Sequence, residues 1–321
     1  MHRTIKAGLA AAAVLASCAA SALAAPLIVL GDSTSDAGSF RLFALRAGNA
    51  NVASPDEGYF MGRFTNGPNV ADYVNQALNG ELTTSYLVGG DNFAFGGAAI
   101  VQDVNQGPGG LPSFIPDLTD QVTSLLARGP IAADADLFVS FAGNDFLAVA
   151  RGAADADFVV AEAIRTMAIE LERLARGGAT NVAVSNVGAA GFALAGAAET
   201  AAAIEVYNAQ LADLLVDLSI ATGTRFVLAD RDAVLDGIIA DPLAFGFDPA
   251  LLGSNCQQDP SAVPTCTGYL SFDGTHLTTA AAEIVSREVL AAIGQPVPLP
   301  GAAILFVGGA GLVAAARRRA A

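Results

Sequence analysis

Ser33 and His276 are the two residues whose types and settings could do chemistry together. His276 is the one histidine beyond the first two dozen residues of this 321-residue chain, and it follows Asp273 by three positions in Ser271-Phe-Asp-Gly-Thr-His-Leu-Thr278. Imidazole has the unperturbed pKa nearest neutrality, at about 6.5, which makes His276 the natural general base. An aspartate three residues earlier can accept from one ring nitrogen while the other faces a nucleophile, which fixes the tautomer and supports the imidazolium. A single histidine also excludes a multi-histidine metal site, and two thiols beside it make zinc a poor fit. Taken alone, the segment reads equally well as a loop whose aspartate caps the helix that begins near Thr278.

The nucleophile that a lone base could serve is Ser33, in Leu30-Gly-Asp-Ser-Thr-Ser-Asp-Ala-Gly38. It follows an apolar run directly, so its hydroxyl would stand at the carboxyl edge of a sheet, beside backbone N–H groups able to meet a developing negative charge. Taken alone, Gly-Asp-Ser is also an ordinary turn. Two further segments supply candidate oxyanion donors. Phe141-Ala-Gly-Asn-Asp145 puts the Asn144 amide after a second apolar run, and Asn92-Phe-Ala-Phe-Gly-Gly-Ala98 ends in a glycine pair, Gly96 and Gly97, with approachable backbone N–H groups. The chemistry these residues could carry out jointly is acyl transfer through a serine.

The elements that must position them alternate. Pro26 to Leu30, Asp136 to Phe141, Asn181 to Ser185 and Arg225 to Leu228 are short apolar runs of the kind buried on both faces of a parallel sheet, and Asn92 to Phe95 is a weaker fifth. Helical spacing marks Phe158 to Arg176, Ala195 to Ala221 and Thr278 to Ile293. Strand and helix in alternation predict a three-layer α/β fold, with sites at the carboxyl rim of the sheet. The loops Gly48 to Asn69 and Val101 to Pro116 belong to that rim. Their aromatics, with Phe40 and Phe43, could line an acyl groove (Tyr59, Phe60, Phe64, Phe114), although packing is the commoner use of such residues.

Three regions divide the chain. Residues 1–24 read as a signal peptide, with Arg3 and Lys6 before an apolar stretch and Ala22-Leu-Ala24 as a small-x-small cleavage site. Leu15-Ala-Ser-Cys18 also resembles a lipobox, so lipidation of Cys18 stays open. Residues 25–293 form one domain. Residues 294–321 hold Val297-Pro-Leu-Pro300, an uncharged run to Ala316 and Arg317-Arg-Arg319. About 20 apolar residues suffice to cross a bilayer core, with the arginines held on the cytoplasmic side.

All 31 acidic residues but only 11 of the 16 basic ones lie in the middle region, giving it a net charge of −20. That argues against nucleic acid as a partner through a basic patch. Cys256 and Cys266, ten apart in an exported loop, read as a local disulfide.

In chain order, the blocks Gly-Asp-Ser33, Asn92-Phe-Ala-x-Gly-Gly97, Gly143-Asn-Asp145 and Asp273-x-x-His276 resemble those of the SGNH, or GDSL-type, lipase and esterase family. Gly62-Arg-Phe-Thr-Asn-Gly-Pro68, followed by Asp72 and Tyr73, resembles its secreted phospholipase/lecithinase-like branch. The likeness runs from Leu27 to Ile293, with Thr34 standing where the motif usually has leucine. It implies a flavodoxin-like three-layer αβα fold with a five-stranded parallel sheet and no cofactor or metal. It makes Ser33 the nucleophile, Asp273 and His276 the orienting acid and the base, and Ser33 N–H, Gly97 (or Gly96) and Asn144 the oxyanion donors. The expected activity is ester hydrolysis by an acyl-enzyme mechanism on a lipid, a small ester or an acylated sugar.

The Val-Pro-Leu-Pro tail resembles the VPLPA-type sorting signals of Gram-negative bacteria. This implies a transient anchor in the inner membrane, processing by an exosortase-like protease, and release to the periplasm, outer surface or extracellular matrix. The rival expectations are an acyltransferase or deacetylase acting on exopolysaccharide, or a non-catalytic surface or matrix protein on the same fold.

Overall fold

The computed structural model describes residues 25–104 and 115–294. The signal-peptide segment, Phe114 and the sorting segment lie outside the described residues. Among those described, no helix is long and apolar enough to cross a membrane.

Four strands form the sheet: β1 (Leu27–Gly31), β2 (Asp136–Ser140), β3 (Asn181–Ser185) and β4 (Arg225–Ala229). They are all parallel, in the order β1-β2-β3-β4. Around them lie helices α1 (Ser39–Arg46), α2 (Val70–Asn79), α3 (Leu118–Leu126), α4 (Gly143–Ala150) and α5 (Ala156–Arg176). Next come α6 (Ala189–Leu194), α7 (Ala198–Thr222), α8 (Arg231–Ala240) and α9 (Thr279–Ala292). The helix expected from Ala195 starts at Ala198 because Gly196, at φ 83°, separates it from the short α6.

Side chains alternate across a strand, so an apolar run buried on both sides feeds two cores. Ile28, Leu30, Leu137, Val139, Val182 and Val184 pack with α3, α5 and α7. Val29, Phe138 and Ala183 point the other way, to α2, α8 and α9. Fully burying one such side chain is worth roughly 1.5–3 kcal/mol, so these strands fix the layer order.

The expected count of five strands is corrected to four. The segment around Asn92–Phe95 does occupy the fifth place, outside β1. It makes ladder bonds there, with Phe93 N–H donating to Val29 O at 2.8 Å and Phe95 N–H to Gly31 O at 3.0 Å. It is not a regular strand, because the Asn92 side chain takes the Ala94 N–H at 2.9 Å and the chain then turns into the glycine pair. β1 therefore lies between this segment and β2, which precedes none of them in the chain but follows both. That is a topological switch point, where two successive crossovers leave in opposite directions and open a crevice at the carboxyl ends of the strands.

Candidate active site

Ser33, Gly97 and Asn144 each sit just past the carboxyl end of one of these three neighbouring segments. The turn after β1 is tight. A Cβ on Gly31 would stand 2.9 Å from Ser140 O, and Asp32 N–H donates to that same oxygen. Thr34, the departure from the family motif, donates its hydroxyl and its N–H to Asp32 Oδ1 at 2.7 and 2.9 Å, which braces the turn. Ser33 is 9% exposed, and its N–H makes no hydrogen bond within the described residues.

The loop before α9 brings His276 to this serine. His276 Nε2 lies 2.7 Å from Ser33 Oγ, and His276 Nδ1 lies 2.7 Å from Asp273 Oδ2. Asp273 Oδ1 accepts the N–H groups of Thr275 and His276 at 3.0 and 2.8 Å. Burial pushes the Asp273 carboxyl up, but the His276 ring, its charge when protonated and these two N–H groups outweigh that and hold it below its usual range. The carboxylate is thus ionised whenever the imidazole needs it.

The Gly62–Pro68 block, which no chemical reading of the sequence explains, is the platform for this loop. Thr65 donates its hydroxyl to Leu277 O at 2.9 Å, and Asn66 Oδ1 accepts the Thr279 N–H at 2.9 Å. Arg63 is buried and clamps Asp72 through two bonds of 2.8 and 3.0 Å, while also reaching Thr83 O. The disulfide Cys256–Cys266 secures the other side: Cys256 N–H donates to Ser271 O and Gln257 N–H to Phe272 O.

On the donor side, Asn144 opens α4 behind Ala142, whose φ of 78° is a strained left-handed value for a residue with a Cβ. Its Nδ2 donates to Ala98 O at 2.9 Å, which fixes the amide and leaves its second hydrogen for the cleft. Gly96 N–H is occupied by Asp36 Oδ2 at 2.8 Å, whereas Gly97 is half-buried with a φ of 87° that suits glycine. The Gly96 N–H is thereby already engaged within the fold.

Three buried aspartates hold this glycine loop by its backbone. Besides Asp36, Asp117 accepts the N–H groups of Ala99 and Asp103 at 2.8 and 2.9 Å, and Asp145 those of Ile100 and Val101 at 3.0 and 2.8 Å. Only Asp145 belongs to a motif block, and nothing in the sequence pairs the other two with the loop. Burial pushes Asp36 and Asp117 up to about 6 and Asp145 up to about 7, against the pull of these donors. Between roughly pH 4 and 7 the folded chain therefore binds more protons than the unfolded one, so these groups cost stability as pH rises through that window. Thermal melts should give a Tm several degrees higher at pH 5.5 than at pH 8, and Asp145→Asn should flatten that slope. A Tm independent of pH across the window contradicts the assignment.

The cleft beside Ser33 and His276 has a volume of about 260 Å³. Its apolar wall comes from α4, α6, α8 and the loop before α9, through Leu147, Phe192, Leu235, Ile239 and Leu252. The described rim aromatics do not line it. Phe40, Phe43, Tyr59 and Phe64 instead pack edge-on to one another, to Phe95 and to Phe272, and Phe64 lies over the His276 ring at 5.1 Å. Among the described residues, no group of three or more His, Cys, Asp or Glu side chains could hold a metal ion.

The chain is 28% identical over 315 residues to the GDSL esterase/lipase At4g16230 of Arabidopsis thaliana, covering 82% of this chain and 85% of that one. It is 27% identical over 285 residues to the GDSL esterase/lipase LTL1 of the same plant, covering 71% and 75%. Superposition on the crystal structure of TesA gives a TM-score of 0.38 at 16% identity, over 84% of this chain and 98% of the other. The sequence profile of the family described as GDSL-like Lipase/Acylhydrolase matches residues 27–289, and the chain belongs to that family.

Proposed function

We propose that this GDSL-family ester hydrolase works through an acyl-enzyme formed on Ser33, with His276 as base and Asp273 as its orienting acid. The observation that carries the proposal is the unbroken chain Ser33 Oγ, His276 Nε2, His276 Nδ1, Asp273 Oδ2, with 2.7 Å at each contact between residues. As Ser33 Oγ attacks the ester carbonyl carbon, its proton passes to Nε2, and Asp273 supports the imidazolium. The carbonyl oxygen becomes an oxyanion, met by the N–H groups of Ser33 and Gly97 and by Asn144 Nδ2. Collapse expels the alcohol, which takes the proton back from Nε2. A water then gives its proton to Nε2 and adds to the acyl carbon, and the acid leaves as Ser33 regains its proton.

The apolar wall of the cleft supports an ester with an apolar acyl group as substrate. The first 24 residues and the Val297–Arg319 tail support export from the cytoplasm, a transient membrane anchor and processing by an exosortase-like protease. The mature enzyme would then work in the periplasm, at the outer surface or in the extracellular matrix of a Gram-negative bacterium.

A fluorophosphonate should label the protein once, on the peptide that carries Ser33, while chromogenic esters of graded acyl length are turned over. A protein that neither reacts nor turns over any ester in that panel is a non-catalytic scaffold. Asn144→Ala should lower kcat by about 10²–10³-fold with little change in KM, since the lost bond matters chiefly in the transition state. An unaltered kcat would remove Asn144 from the oxyanion site.

A further inference from the structure

We propose that Tyr59 is a positioning residue for this site: its hydroxyl holds the Asp273 carboxylate in the orientation that His276 needs. The proposal rests on the roles given above to Asp273 and His276. Tyr59 OH donates to Asp273 Oδ2 at 3.0 Å, the same oxygen that faces His276 Nδ1. Oδ1 is filled by two backbone N–H groups, so all of the roughly four acceptor positions of a carboxylate are occupied. With the Asp273 side chain only 9% exposed, water is a poor substitute for any of them. The two backbone donors come from the aspartate's own loop and move with it. Tyr59 comes from a segment 214 residues away and, among the described residues, is the one donor that ties the carboxylate to the rest of the fold.

The phenol is itself well placed to hold still. Its ring stands edge-on to Phe272 at 5.0 Å and to Phe64 at 6.2 Å, and Phe64 in turn covers the His276 ring. Burial and then the Asp273 charge push the phenol up from its ordinary value, so it remains a donor throughout the working pH range. The charged and polar groups facing it are Asp273, Glu57 on the turn before it, and the Gln257 side chain from the disulfide segment. His276 faces Asp273 and Ser33, and Asp32 and Arg231 share the cleft.

The sign of the effect follows from the shared oxygen. A phenol O–H draws negative charge from Oδ2. Without it, more of that charge acts on His276 and favours the imidazolium, the form unable to take the serine proton. Tyr59→Phe, which keeps the ring and its packing, should lower kcat by about 3- to 30-fold with KM little changed. The acid limb of the kcat/KM–pH profile should move up by about half a unit. Fluorophosphonate titration should still count one site per chain.

An unchanged kcat and an unchanged acid limb, with Ser33 fully labelled in both proteins, would overturn the role of Tyr59 and leave the Ser33 reading standing. So would a fall in kcat matched by an equal fall in titratable sites with the limb unmoved, which marks a packing role only. If the wild type is neither labelled nor active, both readings fall.

Discussion

Ser33→Ala is expected to lower turnover of a short-chain chromogenic ester by roughly 10⁴-fold or more while leaving the fold and Tm close to those of the wild type. The size of the loss follows from mechanism: without Oγ there is no covalent intermediate, and the oxyanion donors have only direct attack by water to assist. The small effect on stability follows from what Oγ contacts. Its one hydrogen bond is to His276 Nε2, which can turn to water in the cleft, and the turn is held by Asp32 and Thr34 instead. The variant should also be unreactive toward a fluorophosphonate. Activity or labelling that survives in Ser33→Ala would mean that another residue is the nucleophile.

The second large effect is expected at His276. His276→Ala should lower kcat by a comparable factor, because the rest of the domain holds no second imidazole and the only other histidine in the sequence is His2. Stability should fall little, because the loop keeps its ties at Thr65, Asn66 and the disulfide segment. If instead the activity of His276→Ala stays within tenfold of wild type, His276 is not the base, whatever its distance from Ser33.

Much of this site was legible along the chain. Runs such as Pro26 to Leu30 and Asn181 to Ser185 announce strands buried on both faces, because no polar residue interrupts them. The motif blocks nominate Ser33, Asp273 and His276, and the fold brings those three side chains into one hydrogen-bonded chain. The run around Asn92 carries only a weak strand signal, and the segment is irregular for a local reason, an asparagine side chain that takes a nearby backbone N–H. The rim aromatics show where pattern fails. Phe40 and Phe64 suit an acyl groove by composition, yet Phe64 packs over His276 with Phe40 against it, and the cleft wall comes instead from α4, α6, α8 and the loop before α9.

What the chain alone carried was the set of motif blocks, the alternation that yields a layered α/β fold, and the acidic character of the domain. These are local properties, set by residue type and by spacing within a few turns of chain. Tertiary structure alone shows that the Gly96 N–H is engaged, because Asp36, some sixty residues away, takes it. It alone joined Tyr59 to Asp273, the Gly62–Pro68 block to the histidine loop, and three buried aspartates to the glycine turn. A hydrogen bond between distant segments leaves no period or spacing to read. It exists only once the sheet has fixed where the ends of its strands meet.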